Sequence, residues 1–167
     1  TIINTFEDEG IPFFIGSVAS NVKDQEPFVD ITDGEQPSAF TTYQEAQNAL
    51  EIDDFGTAKE KFNLAKDLDG LKFRAPSEIN EIIKDQAQKN VLTTYVPVHE
   101  AFEENSDEGL IGFDLMLEHL HPNQQGYFLI GKTFSVKSYL VIWQDTAFLG
   151  LPFLSSKIYS ILFRRIF

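Results

Sequence analysis

Glu118-His119-Leu120-His121-Pro122-Asn123-Gln124-Gln125-Gly126-Tyr127 is the stretch around which the rest of the chain is read. An acidic residue three positions before a histidine, followed at once by Pro-Asn and then Gly-Tyr, sets a candidate base beside a carboxylate that can orient it. The segment just before a helix is irregular, so the Glu118 carboxylate can fold back onto one imidazole nitrogen while the other faces a cleft. That is the base-and-orienter half of a hydrolytic triad. Pro122 suits the first turn of a helix, where its missing N–H costs nothing, and Asn123 supplies capping chemistry. His121 is therefore expected at a helix entrance, backed by an apolar face of Tyr127, Phe128, Ile130 and Phe134.

Outward from this stretch, the hydrophobic pattern alternates between helix and strand. Thr1 to Asp8 reads as the end of an amphipathic helix stopped by Glu9-Gly10, and Ile11 to Ile15 as a short strand buried on both faces. The loop from Ser17 to Ser38 has no periodicity and is expected over the surface. Thr42–Leu50 and Thr57–Leu68 form a helix pair joined by Asp53-Asp54-Phe55-Gly56, with Ala58, Phe62 and Ala65 on one face. Pro76-Ser77-Glu78 opens a further helix to about Lys89, its residues Ile79, Ile82, Ile83 and Ala87 facing inward. The β-branched run Val91–Val98 reads as the next strand. After Ala101-Phe102 comes an acidic, glycine-bearing loop from Glu103 to Gly109, then the helix from about Pro122. Helix, strand, helices, strand, helix is the order of the second half of a doubly wound sheet.

Glu118-x-x-His121-Pro122-Asn123 followed by Gly126-Tyr127 resembles the last sequence block of the SGNH (GDSL-like) hydrolases, with Glu where that family usually carries Asp: a longer arm of the same charge. Gly10-Ile11-Pro12-Phe13-Phe14-Ile15-Gly16, then Ser20-Asn21-Val22-Lys23-Asp24 and Pro27-Phe28, is similar to a later strand and loop of the same family. Ala58 to Ala75, ending Asp67-Leu68-Asp69 and Phe73-Arg74-Ala75-Pro76, resembles a subgroup whose hydrolase domain carries a helical insert. The resemblance covers roughly residues 1–135. It implies an α/β fold, a partial doubly wound, flavodoxin-like parallel sheet of SGNH type, with a tetratricopeptide-like helical hairpin inserted at about 40–75. It also implies a bacterial serine esterase or acyl hydrolase acting on a small-molecule ester without a cofactor, with His121 as base and Glu118 as acid. The subgroup implies an extracytoplasmic, membrane-anchored parent.

The family's Gly-Asp-Ser nucleophile block, its oxyanion glycine and its Gly-x-Asn-Asp block are absent from the 167 residues and would lie upstream of Thr1. The expectation is a C-terminal portion of a longer protein, inactive alone. At this length the chain forms one domain or part of one. The formal charge of -13 comes mainly from acids before His119, since Asp145 is the single acid after it. Such a surface repels phosphate backbones and argues against nucleic-acid binding. Absence of cysteine excludes disulfides and thiolate chemistry without naming a compartment. The 136–167 tail is dense in Leu, Ile and Phe. Within Tyr139–Phe167, Asp145, Pro152 and Ser155-Ser156-Lys157 interrupt the roughly 20 apolar residues a membrane span needs. This tail is a candidate for protein or membrane contact.

Plainer readings stand beside each candidate. His121 is otherwise a helix-capping histidine. Glu118, His119, His121 and His99 are zinc-type ligands by chemistry, but His119 and His121 share a side only on an extended segment and no helical His-Glu-x-x-His pattern supports them, so no metal is expected. Arg74 either reaches a substrate carboxylate or phosphate with its planar fork or forms a salt bridge in an acidic chain. Ser17, Ser20 and Asn21 end the first strand beside the expected cleft; without a Gly-x-Ser-x-Gly elbow they line it rather than attack from it. The rival to the hydrolase is a non-catalytic interaction module in which the helix pair and tail bind protein or membrane.

Overall fold

A computed structural model describes residues 2–31, 34 and 36–148, with 142–148 described by backbone alone. The elements run α1 (Ile2–Asp8), β1 (Phe13–Gly16), α2 (Ala39–Glu51), α3 (Phe55–Leu68), α4 (Ser77–Lys89), β2 (Thr93–Val96), α5 (Val98–Glu104), a 3-10 turn at Asp107–Gly109, and α6 (Gln124–Phe148). The chain divides into two units, residues 1–134 and 135–167. The fold is mixed α/β and mostly helical. Among the described residues the sheet has two strands, β1 parallel to β2, with Phe13 opposite Thr93 and Gly16 opposite Val96. Parallel neighbours need a long crossover, and here it carries α2, α3 and α4.

The helix pair forms where its caps and small residues dictate. Ser38 Oγ accepts from the Thr41 amide at 3.1 Å and Asp54 Oδ1 from the Thr57 amide at 3.1 Å, each satisfying a first-turn N–H. Asp53 takes the left-handed turn between the helices, at φ 59°. Ala46 and Ala49 on α2 meet Ala58 and Ala65 on α3, all buried, and Phe62 fills the seam against Tyr43 with ring centroids 5.2 Å apart. The Tyr43 hydroxyl donates to the Lys23 carbonyl, which ties the pair to the long loop.

That loop departs from its expected surface course. Ser17, Ser20, Asn21 and Val22 are buried. Burial of irregular backbone requires partners for its polar groups, and Arg74 and Asp69 provide them. Arg74 donates through Nη1 to the carbonyls of Asn21 (3.1 Å) and Gln25 (2.6 Å), and through Nη2 to the carboxylate of Asp69 (3.2 Å). Asp69 in turn accepts the amides of Phe28, Val29 and Leu71 at 2.9, 3.1 and 3.0 Å.

Three further expectations are corrected. β1 is half-buried along its length rather than buried on both faces, because β2 is its one neighbour among the described residues. On α4, Ala87 is buried while Ile79 and Ile82 are exposed, so its apolar stripe is only partly covered. On α6 the inward residues are Leu129, Ile130 and Phe134, whereas Tyr127 and Phe128 are exposed. The 136–167 tail lies outside the described residues from 149 onward; among those described, no helix is long and apolar enough to cross a membrane.

Gly126, one turn into α6, sits where a side chain has no room: a Cβ there would stand 2.3 Å from the Leu115 carbonyl oxygen and 2.8 Å from the Pro122 ring. The obstacle is backbone, and that same carbonyl accepts the Asn123 amide. Gly126→Ala is therefore expected to destabilise by about 1–3 kcal/mol through overpacking, despite the helix propensity it gains. A urea midpoint equal to or above that of the unaltered protein would contradict this packing.

Candidate acid–base site

Met116 and Pro122 form an antiparallel bridge, and the Leu117 amide donates to the His121 carbonyl at 2.8 Å, which closes residues 117–121 into a tight loop. Pro122 thus ends this loop instead of opening α6. Asn123 is the cap: its Oδ1 accepts the amides of Gln125 and Gly126 at 2.9 and 3.0 Å, and its Nδ2 donates to the carbonyls of Phe113 and Asp114. One side chain therefore fixes both the helix entrance and the segment before the loop.

Within the loop the Glu118 carboxylate turns back on its own chain. Its Oε1 accepts the His121 amide at 2.6 Å and the Leu120 amide at 3.3 Å, and meets His121 Nδ1 at 2.5 Å. Its Oε2 pairs with Nδ1 of His119. Desolvation of Glu118 pushes its pKa up, but the His121 amide, the His121 ring, the Leu120 amide and the nearby His119 together outweigh it and hold the carboxyl at about 2. The charge is therefore fixed by hydrogen bonds to the ionised form. The His121 side chain is 69 % exposed, so with Nδ1 engaged the opposite edge of the ring, bearing Nε2, lies open. An imidazole with one nitrogen held by a carboxylate and the other free can take and return a proton.

His119 points the other way, into a cluster of rings. Its centroid lies 5.1 Å from Phe28 and 5.4 Å from Phe73, and the two phenyl rings are 5.6 Å apart, edge to face. The Asn21 amide donates to the His119 carbonyl at 3.2 Å, which binds the loop to the segment Ser20–Asn21. Asn21 itself is fully buried: Oδ1 accepts the Asp24 amide at 2.9 Å, and Nδ2 has no hydrogen-bond partner. Ser20 is buried as well. Arg74 is 2 % exposed, its fork taken up by Asp69 and the loop carbonyls, which places it in the framework behind the rings.

His99 stands apart from this loop, on α5, with Nε2 3.3 Å from a Glu103 oxygen that also meets Lys59. Ser17 accepts the His99 amide at 2.8 Å and donates to Glu100 at 3.1 Å, while the Tyr95 hydroxyl donates to the other Glu100 oxygen at 2.7 Å. Among the described residues no group of three His, Asp or Glu side chains is arranged to hold a metal ion. A cavity of about 470 Å³ against α2 and one of about 460 Å³ beside Ile31, Leu68 and Lys72 leave Glu118 and His121 unlined.

The sequence reading missed Asp69, Phe28 and Phe73 as contributors. The ring contacts, and the bonds from Asp69 to the Phe28 and Val29 amides, join positions 40 or more residues apart, which no local spacing signals. No protein-family model, no characterised protein and no solved structure matches the chain.

Proposed function

We propose that the chain is the C-terminal portion of an SGNH-type serine ester hydrolase or acyl transferase, contributing the base and the acid of the triad. The observation that carries this reading is the 2.5 Å contact of Glu118 Oε1 with His121 Nδ1, in a loop whose own amides hold the carboxylate, with the far edge of the ring open. A serine hydroxyl brought to Nε2 would lose its proton to His121 as it attacked an ester carbonyl. The imidazolium, stabilised by Glu118, would then return that proton to the leaving alcohol. Nucleophile and oxyanion donors would come from sequence preceding Thr1. On this reading β1 and β2 are two strands of a larger doubly wound parallel sheet, and α2–α3 is the helical insertion.

The exposed Ile79 and Ile82 on α4 fit either the covering half of such a domain or a partner of a non-catalytic interaction module. The test recovers the coding sequence upstream of Thr1 and treats the longer protein with a fluorophosphonate probe. Covalent labelling of a serine upstream of Thr1, lost in His121→Ala, supports the hydrolase. A natural start beside Thr1 with no labelling leaves the interaction module as the reading.

A further inference from the structure

We propose that Phe28, Phe73 and His119 form a platform for the apolar acyl chain of an ester, continued by Val29 and Leu71 to Ile31. The proposal rests on the hydrolase reading and names its substrate class. Phe28 is 40 % and Phe73 52 % exposed, yet neither belongs to a loose surface. The backbone that presents Phe28 is clamped by Asp69 through two amides, the Gly70 amide donates to the Val29 carbonyl at 2.8 Å, and the Phe73 amide donates to the Leu71 carbonyl at 2.8 Å. Behind both segments lies the buried Arg74–Asp69 pair. A rigid, half-exposed aromatic pair is a poor use of apolar surface unless something covers it.

The platform is coupled to the candidate base through one carboxylate. Glu118 holds His121 with Oε1 and His119 with Oε2, so the ring platform and the candidate base meet at one carboxylate. The strip is also continuous. Val29 and Ile31 both close over Gly70, where an added Cβ would stand 3.0 and 2.8 Å from their side chains. Asp69 and Arg74 are buried, the amides of Phe28, Val29, Gly70, Leu71 and Phe73 are already bonded, and the exposed Lys72 ammonium donates to the Asp67 carbonyl. A sugar would find apolar faces there but few donors for its hydroxyls, whereas an alkyl chain asks for none. Ile31 also borders a depression of about 460 Å³ that includes Leu68 and Lys72. Binding energy gathered along such a strip is the kind that can hold an ester carbonyl at the base.

The test uses the 167-residue chain and a ladder of neutral methyl esters, acetate, hexanoate and octanoate, which avoids repulsion by the net charge of -13. Phenylalanine ring and His119 signals are followed by NMR. Affinity should rise about tenfold from hexanoate to octanoate, as two added methylenes predict, with methyl acetate giving no saturable shift. Phe28→Ala and Phe73→Ala should each weaken octanoate binding at least tenfold. Val91→Ala, an exposed apolar position before β2, should leave it unchanged. A flat ladder, or binding that survives both phenylalanine substitutions, overturns the proposal. So do ring shifts that follow protein concentration without ester, which would mean that a second copy covers the face. A flat ladder in a protein whose serine is still labelled removes the acyl platform and spares the hydrolase; a steep ladder without labelling keeps an apolar-ligand site and removes the hydrolase.

Discussion

Arg74→Leu should destabilise the protein by about 3–5 kcal/mol, the cost of breaking a buried ion pair and leaving one partner uncompensated. Both side chains of the pair are 2 % exposed. The loss is more than one contact, because the guanidinium also serves the carbonyls of Asn21, Gln25 and Glu26. Leucine fills similar space and answers none of them. With a urea slope of about 1–3 kcal/mol/M for a protein of this size, the midpoint should fall by roughly 2 M. Arg74→Lys keeps the charge but not the planar fork and should recover only part of the loss. The acid limb of stability should change as well. Burial pushes the Asp69 carboxyl up, but the amides of Phe28, Leu71 and Val29 and the Arg74 side chain hold it below its ordinary 3.8. A depressed carboxyl stabilises the fold above its unfolded value and loses that contribution as pH falls through the native one, so the unaltered protein should weaken from about pH 4 downward and Arg74→Leu should weaken less steeply there. A midpoint moved by less than the equivalent of about 1 kcal/mol, the size of an exposed pair, would mean that the knot is not what holds the loop.

This knot shows where reading the sequence stopped. The helix pair was legible because its signals are local: Ala58, Phe62 and Ala65 recur on one face, and Asp53-Asp54-Phe55-Gly56 interrupts the period. The two strands were legible as β-branched and aromatic runs, each longer in the reading than in the structure because Ile11 and Val91 continue the composition but not the pairing. The buried course of the loop from Ser17 was not legible. Its partners are backbone carbonyls and amides, which every residue possesses, so no residue type marks them. The inward face of α6 was misjudged for a related reason: Tyr127-Phe128-Leu129-Ile130 is apolar in every direction and carries no phase. The phase is fixed by Gly126 fitting under the Leu115 carbonyl, a contact with another segment. Around the candidate site, the spacing of Glu118 and His121 was enough to anticipate a carboxylate on one ring nitrogen. It said nothing of His119, because the rings of Phe28 and Phe73 reach that residue only through the fold.

On the proposed hydrolase reading, in a longer protein that supplied the nucleophile, His121→Ala should lower kcat by about 10⁴–10⁶-fold, the scale on which triad histidines act. Glu118→Gln should cost about 10³–10⁴-fold, since the amide oxygen can still accept the His121 and Leu120 N–H groups but can no longer fix the tautomer or balance an imidazolium. The double substitution should be barely worse than His121→Ala alone, because the two act as one unit. Additive losses would show that Glu118 acts through the loop's structure and not through the ring. Stability gives an independent reading of the same pair. The Glu118 carboxyl is held at about 2 against an ordinary 4.5, so its contribution is complete above the ordinary value and is lost as pH falls between the two. Glu118→Gln should lower stability above about pH 5, where the carboxylate's contribution is complete, and converge with the unaltered protein as pH falls through that window, where circular dichroism can follow it. A substitution that abolishes turnover in a protein that remains folded under the assay conditions acts on the chemistry. If kcat instead falls only in proportion to the fraction of protein unfolded in the assay, the short contact between Glu118 and His121 is a clasp for the loop, and the proton-transfer role must be withdrawn.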